Sequence, residues 1–328
     1  DDESVSLEAA GMGRGGVAAH RTARFTGCVK LLEYSIHIKN PTDTITLIPF
    51  GCVHADDPGF RPTLFKQCIE RIKNDPNAYG IGMGDYQNFL RGTARKHLQS
   101  YVADENSFDD LDPLIKNRAE AFYKEWLKPI EKKIIGLAEG NHYYQNRKGV
   151  TDTQWLCEFA DCAYLDKPAF LRLKIVYKGK WTRVFKVLIH HGDWSGGYSR
   201  IGGDFNAMEN KGLLGFGGFD IFLFGHTHRK GGFKVPVMDL SDRQELRLIE
   251  RTKLFVRTGC FMAGYDPKCN GTYAQKKLLT PTDLGWVEIG IRFYREYDKE
   301  RTQRYKEKHP GHNGSQTGNF KYEFVLKH

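Results

Sequence analysis

Short apolar runs alternate with longer amphipathic stretches through most of the chain, and this alternation predicts an α/β fold. Residues 44–50, 78–83, 133–138, 184–189 and 219–224 are short and almost continuously apolar, as expected of strands buried on both faces. Residues 61–73, 113–128, 151–161 and 205–213 have the length and apolar spacing of helices. Residues 170–177, 233–237, 253–260 and 286–293 are further β-rich segments.

The two ends read differently. Residues 1–28 are rich in Gly, Ala and charge without a lasting period, which predicts a mobile tail. Gly11, Gly13 and Gly16 fit the spacing GxGxxG, but no strand precedes them and no apolar helix follows, so the dinucleotide-binding context is missing. The chain opens on Asp and this stretch lacks the apolar core of a secretory signal, which reads as a processed or truncated start. Residues 296–328 read as a basic, polar tail with one apolar patch at 320–326, leaving a single catalytic domain over 29–295.

Composition narrows the class only slightly. With 328 residues, 40% hydrophobic and 27% charged, the chain can bury a full core, and no apolar run is long enough to cross a bilayer, so a soluble protein is expected. Seven scattered cysteines are unlike a disulfide framework and fit a reducing compartment, hence a cytoplasmic location. The net charge of +9 favours an anionic partner, which includes DNA, RNA and smaller phosphate esters, although ordinary solvated surfaces also carry such an excess.

The chemistry lies at the ends of the five short runs. Each is followed by a cluster of metal-ligating residue types: GCVH at 51–54, GD at 84–85, GNH at 140–142, HHGD at 190–193 and GHTH at 225–228. Open α/β sheets bind ligands outside the carboxyl ends of their strands, so clusters far apart in sequence can converge on one cleft. Singly, a strand-end His is usually structural and a lone GD or GN is a turn; five in succession argue for a shared metal site. Imidazole, carboxylate and amide ligands suit Zn²⁺, Fe or Mn²⁺, and paired ions hydrolyse phosphate esters. Neither a GxSxG elbow nor a GxxxxGK phosphate loop is present, which argues against a serine hydrolase or a P-loop nucleotidase.

This ordered set resembles the calcineurin-like metallophosphoesterases, including short members found in phages and bacteria, whose pattern is DxH, GD, GNH, a strand-end His and GHxH; here the first block has Cys52 for Asp. The resemblance spans residues 44–230 and implies an α/β sandwich of two central mixed β-sheets flanked by helices. It also implies two divalent ions. Cys52, His54, Asp85 and His228 would hold one, and Asp85, Asn141, His191 and His226 the other, with Asp85 as bridge. His191 is preferred to His190 because Gly192 follows it. His142 matches the family's catalytic histidine, which acts beside Asp85 while a metal-activated hydroxide attacks phosphorus. A thiolate at Cys52 would favour Zn²⁺ or Fe²⁺ at its site; the alternative is a buried bystander thiol.

Basic and aromatic residues follow two of the blocks: Arg91, Arg95, Lys96 and His97 after GD, and Trp194, Tyr198 and Arg200 after HHGD. Of these, Arg91, Arg95, Tyr198 and Arg200 are expected to touch substrate, with plain surface charge the bland alternative. The expected function is a phosphodiesterase or nuclease. The alternatives are a phosphomonoesterase acting on a nucleotide or phosphoprotein, and a degenerate relative that binds metal and nucleic acid without turnover, to which Cys52, Tyr143 in place of the acidic residue after GNH, and the basic tail all point.

Overall fold

A computed structural model describes residues 19–26, 29–88, 107–146, 148–192, 215–240, 248–265, 283–297 and 318–328, with isolated positions in between. Along the first half run β1 (Ala19–Thr26), β2 (Val29–Ile38), β3 (Thr44–Phe50), α1 (Pro62–Asn74), β4 (Ala78–Gly82), α2 (Ser107–Phe122), β5 (Ile134–Ala138) and α3 (Asp152–Phe159). There follow β6 (Ala163–Asp166), β7 (Ala169–Tyr177), β8 (Trp181–His190), β9 (Ile221–Phe224), β10 (Lys230–Leu240), β11 (Leu248–Thr258), β12 (Glu288–Tyr297) and β13 (Gly318–Lys327). They build the expected α/β sandwich. One mixed sheet has the order β1-β2-β7-β8-β9-β11-β10, the other β13-β12-β3-β4-β5-β6.

The pattern of each strand follows from its place. β3, β4 and β5 are parallel neighbours covered on both faces, so every residue but Thr44 is buried and most are apolar. β7 has one face turned to the other sheet, and Ala169, Leu171, Leu173 and Ile175 alternate inward past the more polar Arg172 and Lys174. Side chains of both sheets interdigitate in one core that includes Leu47, Ile81, Leu173, Val187, Leu223 and Ile289.

A second core lies on the outer face of the six-stranded sheet, beneath the helices. α1 starts with Pro62 in its first turn and turns Phe65, Cys68, Ile69 and Ile72 inward, the i, i+3, i+4, i+7 spacing of one helix face. α3 starts with a capping box: the Thr151 hydroxyl accepts from the Gln154 N–H while the Gln154 side chain accepts from the Thr151 N–H. None of the described helices is long and apolar enough to cross a membrane.

Three elements differ from the sequence reading. Within the stretch read as an N-terminal tail, residues 19–26 form an edge strand paired along its length with β2. Pairing on one side only places little demand on apolar content, which is why the segment looked featureless. At the other end β13 pairs antiparallel with β12, and Tyr322, Phe324 and Leu326 alternate onto the inter-sheet core; that period of two was the legible signal. The helix expected over 113–128 begins at Ser107, keeps Pro113 inside, and passes through a π turn (Tyr123–Leu127) into a 3-10 turn (Lys128–Lys133). The helix expected over 205–213 falls largely outside the described residues.

Phe324 is 2% exposed and packs with its ring 5.8 Å from Phe185. Phe324→Ala is expected to destabilise the protein by about 3–5 kcal/mol in denaturant unfolding, the usual result of emptying a buried aromatic site. A change below about 1 kcal/mol would mean that β13 adds little to the fold.

Candidate metal centre

The five ligand clusters meet at one edge of the sandwich. β3, β4 and β5 lie side by side and parallel, as do β8 and β9 in the opposite sheet, so the loops after their carboxyl ends come together. The loops after β3 and β4 are stitched by backbone hydrogen bonds: Cys52 N–H donates to Gly84 O at 2.9 Å, and Val53 and His54 N–H both donate to Asp85 O at 2.8 and 3.0 Å.

The local backbone is held away from ordinary strand geometry. Cys52, His54, Asp85, His226 and His228 all have positive φ, between 47° and 64°. A non-glycine residue in this region costs roughly 1–3 kcal/mol and persists only where its surroundings fix it; here five such residues are all expected ligands. Gly84, with φ of 93°, and Gly140 let the chains approach: a Cβ on Gly140 would lie 1.9 Å from Asp85 Oδ1.

The side chains form two adjoining sets of donors. In the first, His54 Nε2 is 3.3 Å from His228 Nε2 and 3.9 Å from Asp85 Oδ2. In the second, His191 Nε2 is 3.1 Å from Asp85 Oδ2 and 2.9 Å from Asn141 Oδ1, which is also 2.9 Å from His226 Nδ1. Cys52 Sγ falls within 4.8 Å of the donor atoms of His54 and His228, and equally of those of Asp85 and His191, so these residues could hold a metal on either side. Both Cys52 and Asp85 therefore stand between the sets, where Asp85 alone was expected. His191 turns into the cluster, while His190 accepts a hydrogen bond from Gly192 N–H at 2.7 Å.

The hydrogen-bond pattern is compatible with a bound cation. His191 Nδ1 must donate to Met83 O at 2.7 Å, and His54 Nδ1 to Asn88 Oδ1 at 2.6 Å, since both partners are carbonyl oxygens. That leaves the Nε2 of each ring turned into the cluster as a possible ligand atom, 3.1 Å from Asp85 Oδ2 for His191 and 3.3 Å from His228 Nε2 for His54. Ligands about 2.0–2.1 Å from an ion would sit about 2.9 Å apart on an octahedral edge and about 3.3 Å apart on a tetrahedral one, a range that holds the 2.9–3.3 Å contacts but not the 3.9 Å between His54 and Asp85. The donor set fits the divalent ions that the sequence implied.

Electrostatics agree. Burial opposes the charge on Asp85, but His191, with help from His54 and His142, outweighs it and holds the carboxyl well below its usual range. Burial pushes down His191 as well, yet Asp85 raises it overall. His228 is driven well below the ordinary imidazole range by burial and then by His54, so it stays neutral and able to ligate. Burial, with the charge of Asp85, raises the Cys52 thiol, whose sulfur accepts from His226 N–H at 3.3 Å; a cation would displace its proton.

His142 borders the cluster, half-buried, with its ring edge-on to His54 at 5.2 Å and its backbone N–H donating to Asp85 Oδ1 at 2.9 Å. Tyr143, at the position following GNH, lies under the Lys167 ammonium at 5.5 Å. Arg91, Arg95, Lys96, His97, Trp194, Tyr198 and Arg200, read as possible substrate contacts, lie outside the described residues.

Sequence reasoning missed Asn88. Besides fixing the His54 tautomer, Asn88 donates through its backbone N–H to Asp56 Oδ1 at 2.6 Å, and Asp56 pairs with Arg118 on α2 at 2.8 Å. Only its place three residues after Asp85 hinted at this role.

No protein-family model and no curated protein matches the chain. Among solved structures it is similar to a conserved uncharacterized protein, titled a predicted phosphoesterase, from Streptococcus pneumoniae: 12% identity, 77% of this chain and 87% of that one, TM-score 0.29. It is also similar to a Vps29 double mutant from Entamoeba histolytica (11% identity, 87% and 100% covered, TM-score 0.33) and to Chaetomium thermophilum Vps29 (10%, 86% and 96%, 0.31). At such identities and TM-scores the likeness carries no argument about chemistry, which is read from the site's own atoms.

Removing the Asn88 amide frees the His54 ring to rotate and change tautomer. Asn88→Ala is expected to weaken divalent-metal binding about 10–100-fold in equilibrium dialysis, the usual effect of losing a partner behind a metal ligand, with the circular dichroism unchanged. Unaltered affinity would show that His54 is positioned by packing alone.

Proposed function

We propose that the chain is a metal-dependent phosphoesterase of calcineurin-like type, acting on phosphodiesters and, among them, on nucleic acid. What carries this reading is the convergence of Asp85 Oδ2, Asn141 Oδ1, His191 Nε2 and His54 Nε2, all atoms able to ligate a metal, in contacts of 2.9–3.9 Å. Two divalent ions, when bound there, supply Lewis acidity and an activated water. Zn²⁺ or Fe²⁺ suits the soft sulfur of Cys52.

This chain's residues do the rest. Asp85 and Cys52 hold the two halves of the site together, while Asn141, His191 and His226 close one half and His54 and His228 the other. His142 stands beside this cluster and holds a proton for the leaving oxygen. As water adds to phosphorus, the ester P–O bond breaks with its electrons on that oxygen, which His142 protonates; the proton given up by the water passes to solvent and restores His142, leaving a phosphate monoester and an alcohol. The reducing, cytoplasmic setting inferred from the cysteines suits a thiol ligand.

The test is metal analysis combined with hydrolysis of bis(p-nitrophenyl) phosphate, p-nitrophenyl phosphate and labelled DNA and RNA, after loading with Zn²⁺, Fe²⁺ or Mn²⁺. Preference for the diester and nucleic acids supports the reading; preference for the monoester favours a phosphomonoesterase. Metal binding without turnover of any substrate would establish a degenerate binding protein.

Within that assay, Asp85→Ala and Asn141→Ala are expected to abolish hydrolysis together with metal uptake. His142→Ala should keep its metal and lose about 10²–10⁴ in kcat, since its contribution is confined to proton transfer. Loss of metal from the His142 variant would assign that residue a structural role instead.

Because its sulfur lies within reach of both donor sets, Cys52→Ser is expected to lower the affinity for both ions by about tenfold or more. Cys52→Asp should restore two ions but shift preference toward Mn²⁺. Parent-like stoichiometry and rate in Cys52→Ser would make the cysteine a bystander.

A further inference from the structure

Among the described residues, the hydrogen bonds behind His54 end on two adjacent carboxylates of its own loop. Asp56 Oδ1 accepts from the backbone N–H of Asn88 at 2.6 Å, and Asp56 Oδ2 pairs with Arg118 at 2.8 Å, so the main chain of Asn88 is fixed. The Asn88 side chain keeps one choice. An amide has an oxygen at one end and an NH₂ at the other, and turning it over exchanges an acceptor for donors at nearly the same positions.

Asp57 makes that choice. Its Oδ2 lies 3.4 Å from Asn88 Nδ2, and a carboxylate only accepts, so the NH₂ end turns to Asp57 and Oδ1 is left facing His54 Nδ1 at 2.6 Å. The contact with Asp57 is the longer of the two, but its acceptor is charged, which makes a hydrogen bond roughly twice as strong as a neutral one. Asp57 itself is held in place. Its Oδ1 accepts from Gly59 N–H at 2.7 Å, its backbone N–H donates to His54 O at 2.8 Å, and its carbonyl accepts from Phe60 N–H at 2.9 Å.

We propose that Asp57 is a positioning residue for the metal centre: through the Asn88 amide it keeps the proton of His54 on Nδ1 and leaves Nε2, 3.3 Å from His228 Nε2, without one. The consequence for a metal rests on the reading of this cluster as a metal centre; the control of the tautomer does not. With the amide turned over, its NH₂ would face Nδ1, the proton would sit on Nε2, and His54 would have no lone pair to offer an ion. A carboxylate outside the ligand set thereby decides whether His54 can ligate.

The test uses the full chain, labelled with ¹⁵N and stripped of metal, at a pH above the ordinary imidazole range. Nitrogen NMR reads the tautomer of His54, whose signal is the one lost in His54→Gln. The parent is expected to carry the proton on Nδ1. In Asp57→Asn the new amide oxygen still accepts from Gly59, so its NH₂ meets that of Asn88; the Asn88 amide is expected to turn over and the His54 proton to move to Nε2. The double variant Asp57→Asn/Asn88→Asp reverses the polarity of the pair with every hydrogen bond satisfied, and should return the parent tautomer. Equilibrium dialysis with Zn²⁺ alone is expected to show one ion held about 10–100-fold more weakly in Asp57→Asn, with near-parental binding in the double variant. Should Asp57→Asn fail to fold, Asp57→Ala, which faces the amide with no acceptor, is expected to show both tautomers. The parent tautomer retained unmixed in the Asp57 variants overturns the proposal. A reversed tautomer with unchanged Zn²⁺ binding overturns the role at the metal. A parent that binds no Zn²⁺, while the tautomers behave as expected, sinks the metal-centre reading alone.

Discussion

A carboxylate only 4% exposed cannot keep its charge unless positive or donor groups surround it closely, and Asp85 is such a carboxylate. Its Oδ1 takes the His142 backbone N–H, and its Oδ2 faces His191 and His54. Those contacts lie on three different loops, so the charge of one side chain dictates that the ends of β3, β4, β5 and β8 stay together. The inter-sheet core supplies the rigidity that holds them so.

The same constraint explains the strained backbone. Parallel strands deliver their carboxyl ends to one edge, but a continuing strand would send alternate side chains to opposite faces. Turning at once into the left-handed region, as Cys52, His54, Asp85, His226 and His228 do, aims consecutive ligands at one centre. Five such turns together cost several kcal/mol that the packed sandwich must offset. The free energy invested is an argument for use, since a merely structural loop could relax to glycine or to ordinary turn geometry.

Much of this was legible in the sequence, for a physical reason. Ligands that must turn away from a buried strand leave an apolar run, a glycine and a polar residue in direct succession, and that signature survives without knowledge of the fold. Asn88 left none, because its contact with His54 depends on how two loops lie against each other, and an Asn three residues past a GD block reads as an ordinary turn. Likewise β1 escaped notice because an edge strand needs little apolarity, while β13 showed its alternation but sat within a polar, basic stretch.

Cys52 remains the point where this chain departs from the pattern it otherwise follows. Placed beside one ion only, a sulfur in place of a carboxylate would soften one half of the site and leave the other as it was. Its sulfur instead lies near His54 and His228 on one side and near Asp85 and His191 on the other. A shared thiolate is larger and more polarisable than a carboxylate oxygen, and it takes ions at longer distances, about 2.3 Å for Zn²⁺ against 2.0–2.2 Å for oxygen. On the proposed reading, it would favour softer metals and bring negative charge to the centre of the site, next to Asp85. The free thiol resists ionisation in this buried place, so its charge appears only with the cations that balance it. On the proposed reading of the site as a metal centre, metal loading and ionisation of this thiol would be one event.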